Sequence, residues 1–143
     1  MYILFKNIHH YVGMITLVFI LLLTVVSFIY YLQERTITGQ VKKISLITLI
    51  FTHTQIIIGL VLFFSSPIFQ SSSIKDIMGI GSIRRNYVEH PFSMIIAGIL
   101  ITIINARIKK LPKISVWTLL MSAISLALVI GMIPKAFWNS LIS

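Results

Sequence analysis

A chain of 143 residues that is 57% hydrophobic and only 10% charged is too apolar for a soluble domain, whose charged fraction is about 25%, and its length suffices for one small membrane bundle without a second domain. The net charge of +9 comes from basic residues at the ends of apolar runs, with no basic helix or aromatic-interleaved patch, so it marks membrane orientation and excludes nucleic acid as a partner. The absence of cysteine excludes disulfides, iron–sulfur clusters, covalent c-type haem and thiol chemistry.

The expected fold is all-α: an integral membrane, up-down four-helix bundle forming a single transmembrane domain over residues 1–143, with spans at about 8–32, 44–64, 88–107 and 114–133. The first run is long enough, at 1.5 Å per residue, to cross a hydrocarbon layer of about 30 Å. It is followed by Tyr30, Tyr31, Gln33, Glu34 and Arg35 instead of a small-residue cleavage site, so it reads as a retained span. Gly39 and Lys42-Lys43 mark a short connection. The second run closes at Ser65-Ser66-Pro67, where proline cannot continue a helix. In the long connection that follows, Ser71-Ser72-Ser73 are expected to cap a short interfacial helix. Ile74, Ile77 and Met78 share one face of it, and Gly79 and Gly81 end it. The third run is the shortest and draws on the turn from about Asn86 to span the membrane. Arg107, Lys109, Lys110, Pro112 and Lys113 lead into the fourth, which ends at Pro134-Lys135, with Trp138 at the interface.

The first and third connections carry Arg35, Lys42, Lys43, Arg107, Lys109, Lys110 and Lys113, against Lys6, Lys75, Arg84, Arg85 and Lys135 on the other side. By the positive-inside rule both termini and the long second loop are expected on the outer, periplasmic side and the two short basic loops in the cytoplasm; the expected location is a bacterial inner membrane. His9, His10 and His90 then lie near the outer face. His53 sits roughly eight residues, or about 12 Å, from its cytoplasmic end.

Helix contacts in lipid favour small and weakly polar residues, which marks the inward faces. On the first helix His9, Gly13, Thr16, Thr24, Ser27 and Tyr31 lie within about a quarter-turn of one line at 100° per residue. His10 lies off it and reads as an interfacial aromatic. On the third helix Ser93, Met94, Ala97, Ile101 and Asn105 flank the His90 line, and on the fourth Ser115, Thr118, Ser122 and Ser125 share a face. Thr48, Thr52, Gln55 and Gly59 form the second helix's stripe, with His53 well away from it.

Ionisable residues inside a membrane are functional candidates. Separate helices each offering one histidine, without cysteine, fit axial ligation of haem b. Two imidazoles leave iron no open position and favour electron transfer over oxygen binding. Depth pairs His9 with His90. His53, on the order of 10 Å deeper, is the alternative ligand or a residue that simply hydrogen-bonds a neighbouring helix. Gly13 and Gly98 offer room beside a porphyrin. Arg84 and Arg85 are propionate clamps or headgroup contacts. Glu89 orients His90, binds a quinol hydroxyl, or is solvated. Pro91 disfavours helical geometry at His90, which leaves it either a cap at the helix entry or a ligand held inside the helix. No Glu/His helical motif points to a metal hydrolase, and no enzymatic reaction is assigned.

His9 near the start, Thr52-His53 running through Gly59 to Phe63-Phe64, and Val88-Glu89-His90 opening a run with Met94-Ile95-Ile96-Ala97 resemble small four-helix membrane proteins of the Bacteroidetes group labelled cytochrome b-like. The resemblance covers roughly residues 1–110. It implies haem, electron transfer with quinone or a redox partner subunit, and His9 in preference to His10 as the first-helix ligand. A haem-free structural or assembly subunit of a larger membrane complex is the alternative.

Overall fold

The computed structural model describes residues 2–133, and no strand occurs among the described residues. Three helices are long and apolar enough to cross a membrane: α1 (Tyr2–Leu32), α2 (Gly39–Ser65) and the continuous stretch Gly81–Lys110. Within that stretch a four-residue start, α5 (Gly81–Arg84), passes through a π-helical turn, Arg85–Glu89, into α6 (His90–Lys110). Two short helices, α3 (Pro67–Ser71) and α4 (Ile74–Gly79), precede it, and an apolar sixteen-residue helix, α7 (Val116–Gly131), follows. The expectations for Pro134, Lys135 and Trp138 lie outside the described residues.

The long helices pack through the small residues that the chain spaces along them. α1 packs on α2 and α7, and α6 packs on the same two helices. The buried positions of α1 are Thr16, Ile20, Leu23 and Ser27, and those of α2 are Val41, Ser45, Thr48 and Thr52. Alternating steps of four and three are the heptad spacing of knobs-into-holes packing. Hydroxyls suit such a seam because they hydrogen-bond their own helix four residues back and so enter it already satisfied. Thr16 donates to the Val12 carbonyl at 2.7 Å, Thr48 to Ile44 at 2.8 Å and Thr52 to Thr48 at 2.7 Å. A buried side-chain bond, Ser45 to Asn105 Oδ1 at 3.1 Å, ties α2 to α6.

The heptad spacing corrects one expected face. Tyr30, three heptads after His9, packs against the buried core, whereas Tyr31 is exposed. A straight helix at 100° per residue favours Tyr31. A helix that keeps a seven-residue repeat drifts by about 20° per heptad from that line, and over three heptads the inward position passes to Tyr30.

The connections sort by end. At the basic end the two short loops lie side by side, with Ile37 N–H donating to the Pro112 carbonyl at 2.8 Å and Thr36 bridging Lys113. Arg107 closes the same end by donating to Thr118 Oγ1 at 3.1 Å and to Ser115 Oγ at 2.9 Å. Ser115 is also the N-cap of α7. At the opposite, histidine end, Ser66 is extended before Pro67, as the residue preceding a proline should be. Ser73 caps α4 in a reciprocal box with Asp76. Ile77 is buried, whereas Ile74 and Met78 on the expected shared face are exposed. Gly79 ends α4 as expected. Gly81 starts the next helix.

Of the two alternatives for His90, the cap before Pro91 does not occur. His90 is helical, at φ −63° and ψ −54°, and its N–H donates five residues back to the Arg85 carbonyl. Proline removes one N–H and crowds the carbonyl four residues earlier. A π-helical turn widens the helix at that place. The helix therefore continues through Pro91, and His90 is carried as a helical side chain, not as a cap.

Candidate functional site

His9 and His90 meet at the histidine end, their ring centroids 6.1 Å apart and their planes inclined at 73°. They belong to α1 and α6, which are each packed on α2 and α7, so the two imidazoles approach across the space those helices flank. Both are half-buried. The Met132 backbone, just past α7, lies beside the His90 ring.

The residue that organises His9 is Gln55. Its Nε2 donates to the His9 carbonyl at 2.8 Å and lies 3.3 Å from His9 Nε2. The reversed amide would set Oε1 against that carbonyl, so Nε2 is the atom that belongs there. With Gln55 donating, His9 Nε2 is the acceptor and the imidazole proton sits on Nδ1. His9 Nδ1 and Gln55 Oε1 are then buried polar atoms with no partner among the described residues. Two glycines permit the arrangement. A Cβ at Gly13 would stand 2.7 Å from Gln55 Nε2, and one at Gly59 would stand 3.1 Å from His9 Cε1.

The remaining expected site residues are distributed as follows. His53 is exposed. Its Nδ1 lies 2.9 Å from the Leu49 carbonyl, and its Nε2 lies 3.4 Å from Thr102 Oγ1 on α6. Thr102 follows His90 by twelve residues, or roughly 18 Å along the helix, so the depth difference exceeds the sequence expectation. The structure does not bring His53 to the other two histidines. His10 is exposed, with its ring edge-on to Tyr11. Gly98 admits the Ile56 side chain, whose Cδ1 a Cβ would meet at 2.5 Å. Arg84 pairs with Glu89 at 2.9 Å, so the carboxylate engages the arginine. Arg85 donates to the Gly131 carbonyl at 2.7 Å.

The 6.1 Å, steeply inclined approach of the two rings is the ordinary geometry of an edge-to-face ring contact, and it is also the approximate centroid spacing that two imidazoles on one metal would have. The space beside Gly13 and Gly98, in contrast, is filled by Gln55 and Ile56. No group of three or more His, Cys, Asp or Glu able to hold a metal occurs among the described residues.

Gln55, Gly59 and Met132 form part of the site without having been assigned to it from the sequence. For Gln55 and Gly59 a signal was present. They continue the Thr48, Thr52 stripe in steps of three and four, and antiparallel packing of α1 on α2 puts that stripe beside Gly13 and His9. Comparison with protein-family models, curated proteins and solved structures returned no match.

Proposed function

We propose that the chain is an up-down bundle of four transmembrane helices in a bacterial inner membrane, its termini periplasmic, that transfers electrons through haem b held by His9 and His90. The observation that carries this reading is the approach of the two imidazoles across the helix packing at a separation suited to one metal between them. The resemblance to cytochrome b-like Bacteroidetes proteins supports it from the sequence side. Bound haem supplies one-electron redox chemistry. The chain's own part would be to hold the group through two neutral imidazoles, His9 from α1 and His90 from α6. Gln55 is the group that His9 Nε2 must release to become a ligand. Arg84 and Arg85, at the same end, are the cations nearest in sequence to His90. Quinol or a redox partner subunit is the exchange partner in this reading.

A second reading is favoured by a specific observation. The Gln55 amide already occupies His9 Nε2, and side chains fill the space beside Gly13 and Gly98. These contacts support a haem-free packing or assembly subunit in which the histidines join helices. A visible spectrum of the detergent-purified protein, expressed with haem supplied, separates the two. Electron transfer predicts a Soret band that shifts on dithionite reduction, and its absence refutes the haem reading. Gln55→Leu sharpens the result: it leaves haem binding intact if His9 is a ligand, and it weakens helix association if the histidine cluster serves packing.

A further inference from the structure

At the basic end, the last turn of α1 and the entry to α7 leave a cleft of about 370 Å³ lined by Tyr31, Leu32, Glu34, Lys113 and Ile114. Its lining is divided. Leu32 offers exposed hydrocarbon beside the buried Ile114, whereas Lys113 Nζ and Glu34 Oε2 place an ammonium and a carboxylate 3.6 Å apart. That distance is longer than a hydrogen bond, and the side chains are 52% and 83% exposed respectively. Such a pair contributes little on its own and leaves both groups with hydrogen-bonding capacity for a third party.

Glu34 also occupies a backbone position that its side chain disfavours. Arg35 N–H donates to the Tyr30 carbonyl at 3.1 Å and Glu34 N–H to Tyr31 at 3.2 Å, the paired bonds that close a helix through a left-handed residue. Glu34 stands there at φ 49°, where glycine is the usual occupant because it has no Cβ. The chain has three carboxylates. Asp76 completes the cap of α4 and Glu89 holds Arg84. Glu34 has the loose Lys113 contact and the mouth of the cleft.

We propose that this cleft binds the headgroup of an amine-bearing zwitterionic phospholipid. Lys113 donates to its phosphate diester, Glu34 accepts from its primary ammonium, and the first acyl segments lie over Leu32. Charge complementarity selects the occupant. An anionic headgroup without an amine meets Lys113 but is repelled by Glu34, and a trimethylammonium headgroup has the right charge but no N–H to donate. The inference rests on the membrane-embedded reading and is independent of haem.

Native mass spectrometry of the full chain in detergent, titrated in parallel with dioleoyl phosphatidylethanolamine, phosphatidylcholine and phosphatidylglycerol, tests it. The expected result is phosphatidylethanolamine binding about tenfold tighter than phosphatidylcholine, lost in Glu34→Gln, weakened in Lys113→Gln and unchanged in the basic-end control Lys42→Gln. Equal affinity for the two lipids, or a preference that survives Glu34→Gln, overturns the proposal. So does a dominant preference for phosphatidylglycerol, which would reflect general attraction to the basic end. Glu34→Gly relieves the left-handed strain, so its melting temperature should hold or rise while the preference disappears; a preference retained in that variant overturns the assignment. Carbonate washing of membranes from the same cells reports separately on embedding. A chain released by the wash refutes both readings, whereas a retained chain without lipid preference refutes the lipid site alone.

Discussion

The two ends of the molecule are built from similar residues and differ in how far their polar groups are satisfied. Toward the basic end, Ser45 meets Asn105, Thr24 and Thr48 reach carbonyls on neighbouring helices at 3.3 Å, and Arg107 joins Ser115 and Thr118. One buried hydroxyl there, Ser27 Oγ, lacks a partner. At the histidine end a π-helical turn interrupts the third long helix, and a single cluster leaves both His9 Nδ1 and Gln55 Oε1 unpaired. Leaving buried polar groups unpaired costs about 1–3 kcal/mol each. A helix pair chosen only for adhesion would use serine and threonine there, as the basic end does. The contrast is between a half whose polar side chains are mostly bonded across helices and a half in which the His9–Gln55 cluster leaves two buried atoms unpaired.

The contrast is most severely tested by crowding the packing half. Ser122 is fully buried on α7, where Thr24 of α1 reaches its carbonyl, so Ser122→Leu should force α1 and α7 apart. The expected loss is about 1–3 kcal/mol, read as a lowered melting temperature in detergent. Arg107→Leu removes two charge-assisted hydrogen bonds but leaves Ser115 and Thr118 still bonded to each other at 3.0 Å. A loss of about 1–2 kcal/mol is expected, with the same readout. Gln55→Leu, in the histidine half, should change stability by less than about 1 kcal/mol, the scale of single interhelical hydrogen bonds in membranes. If it proves as damaging as Ser122→Leu, the two halves are not functionally distinct. His10→Ala, at an exposed position, should leave both the melting temperature and any spectrum unchanged.

Packing faces were legible in the sequence because lipid reverses the usual signal: small polar residues point inward, and Thr16, Ser27, Thr48, Thr52, Ala97, Thr118, Ser122 and Ser125 are buried as that rule requires. Supercoiling was not legible from a straight-helix line, which is why Tyr31 was expected where Tyr30 packs. The π-helical turn was hidden because proline rules are statistical and local, whereas the turn is set by the whole stretch from Gly81. Depth and helix face together put His9 and His90 at one end, where the two rings meet. Gln55 could not be assigned to them without the antiparallel register of α1 and α2, since nothing in its own neighbourhood distinguishes it from another polar residue on a packing stripe.

The central claim concerns two imidazoles out of four. The reduced-minus-oxidised spectrum of haem-supplied protein, compared across single His→Ala variants, tests it most directly. A low-spin signal should vanish in His9→Ala and in His90→Ala and persist in His10→Ala and His53→Ala. Loss of the signal in His53→Ala with retention in His9→Ala, or no haem signal in the unmodified chain, would contradict it.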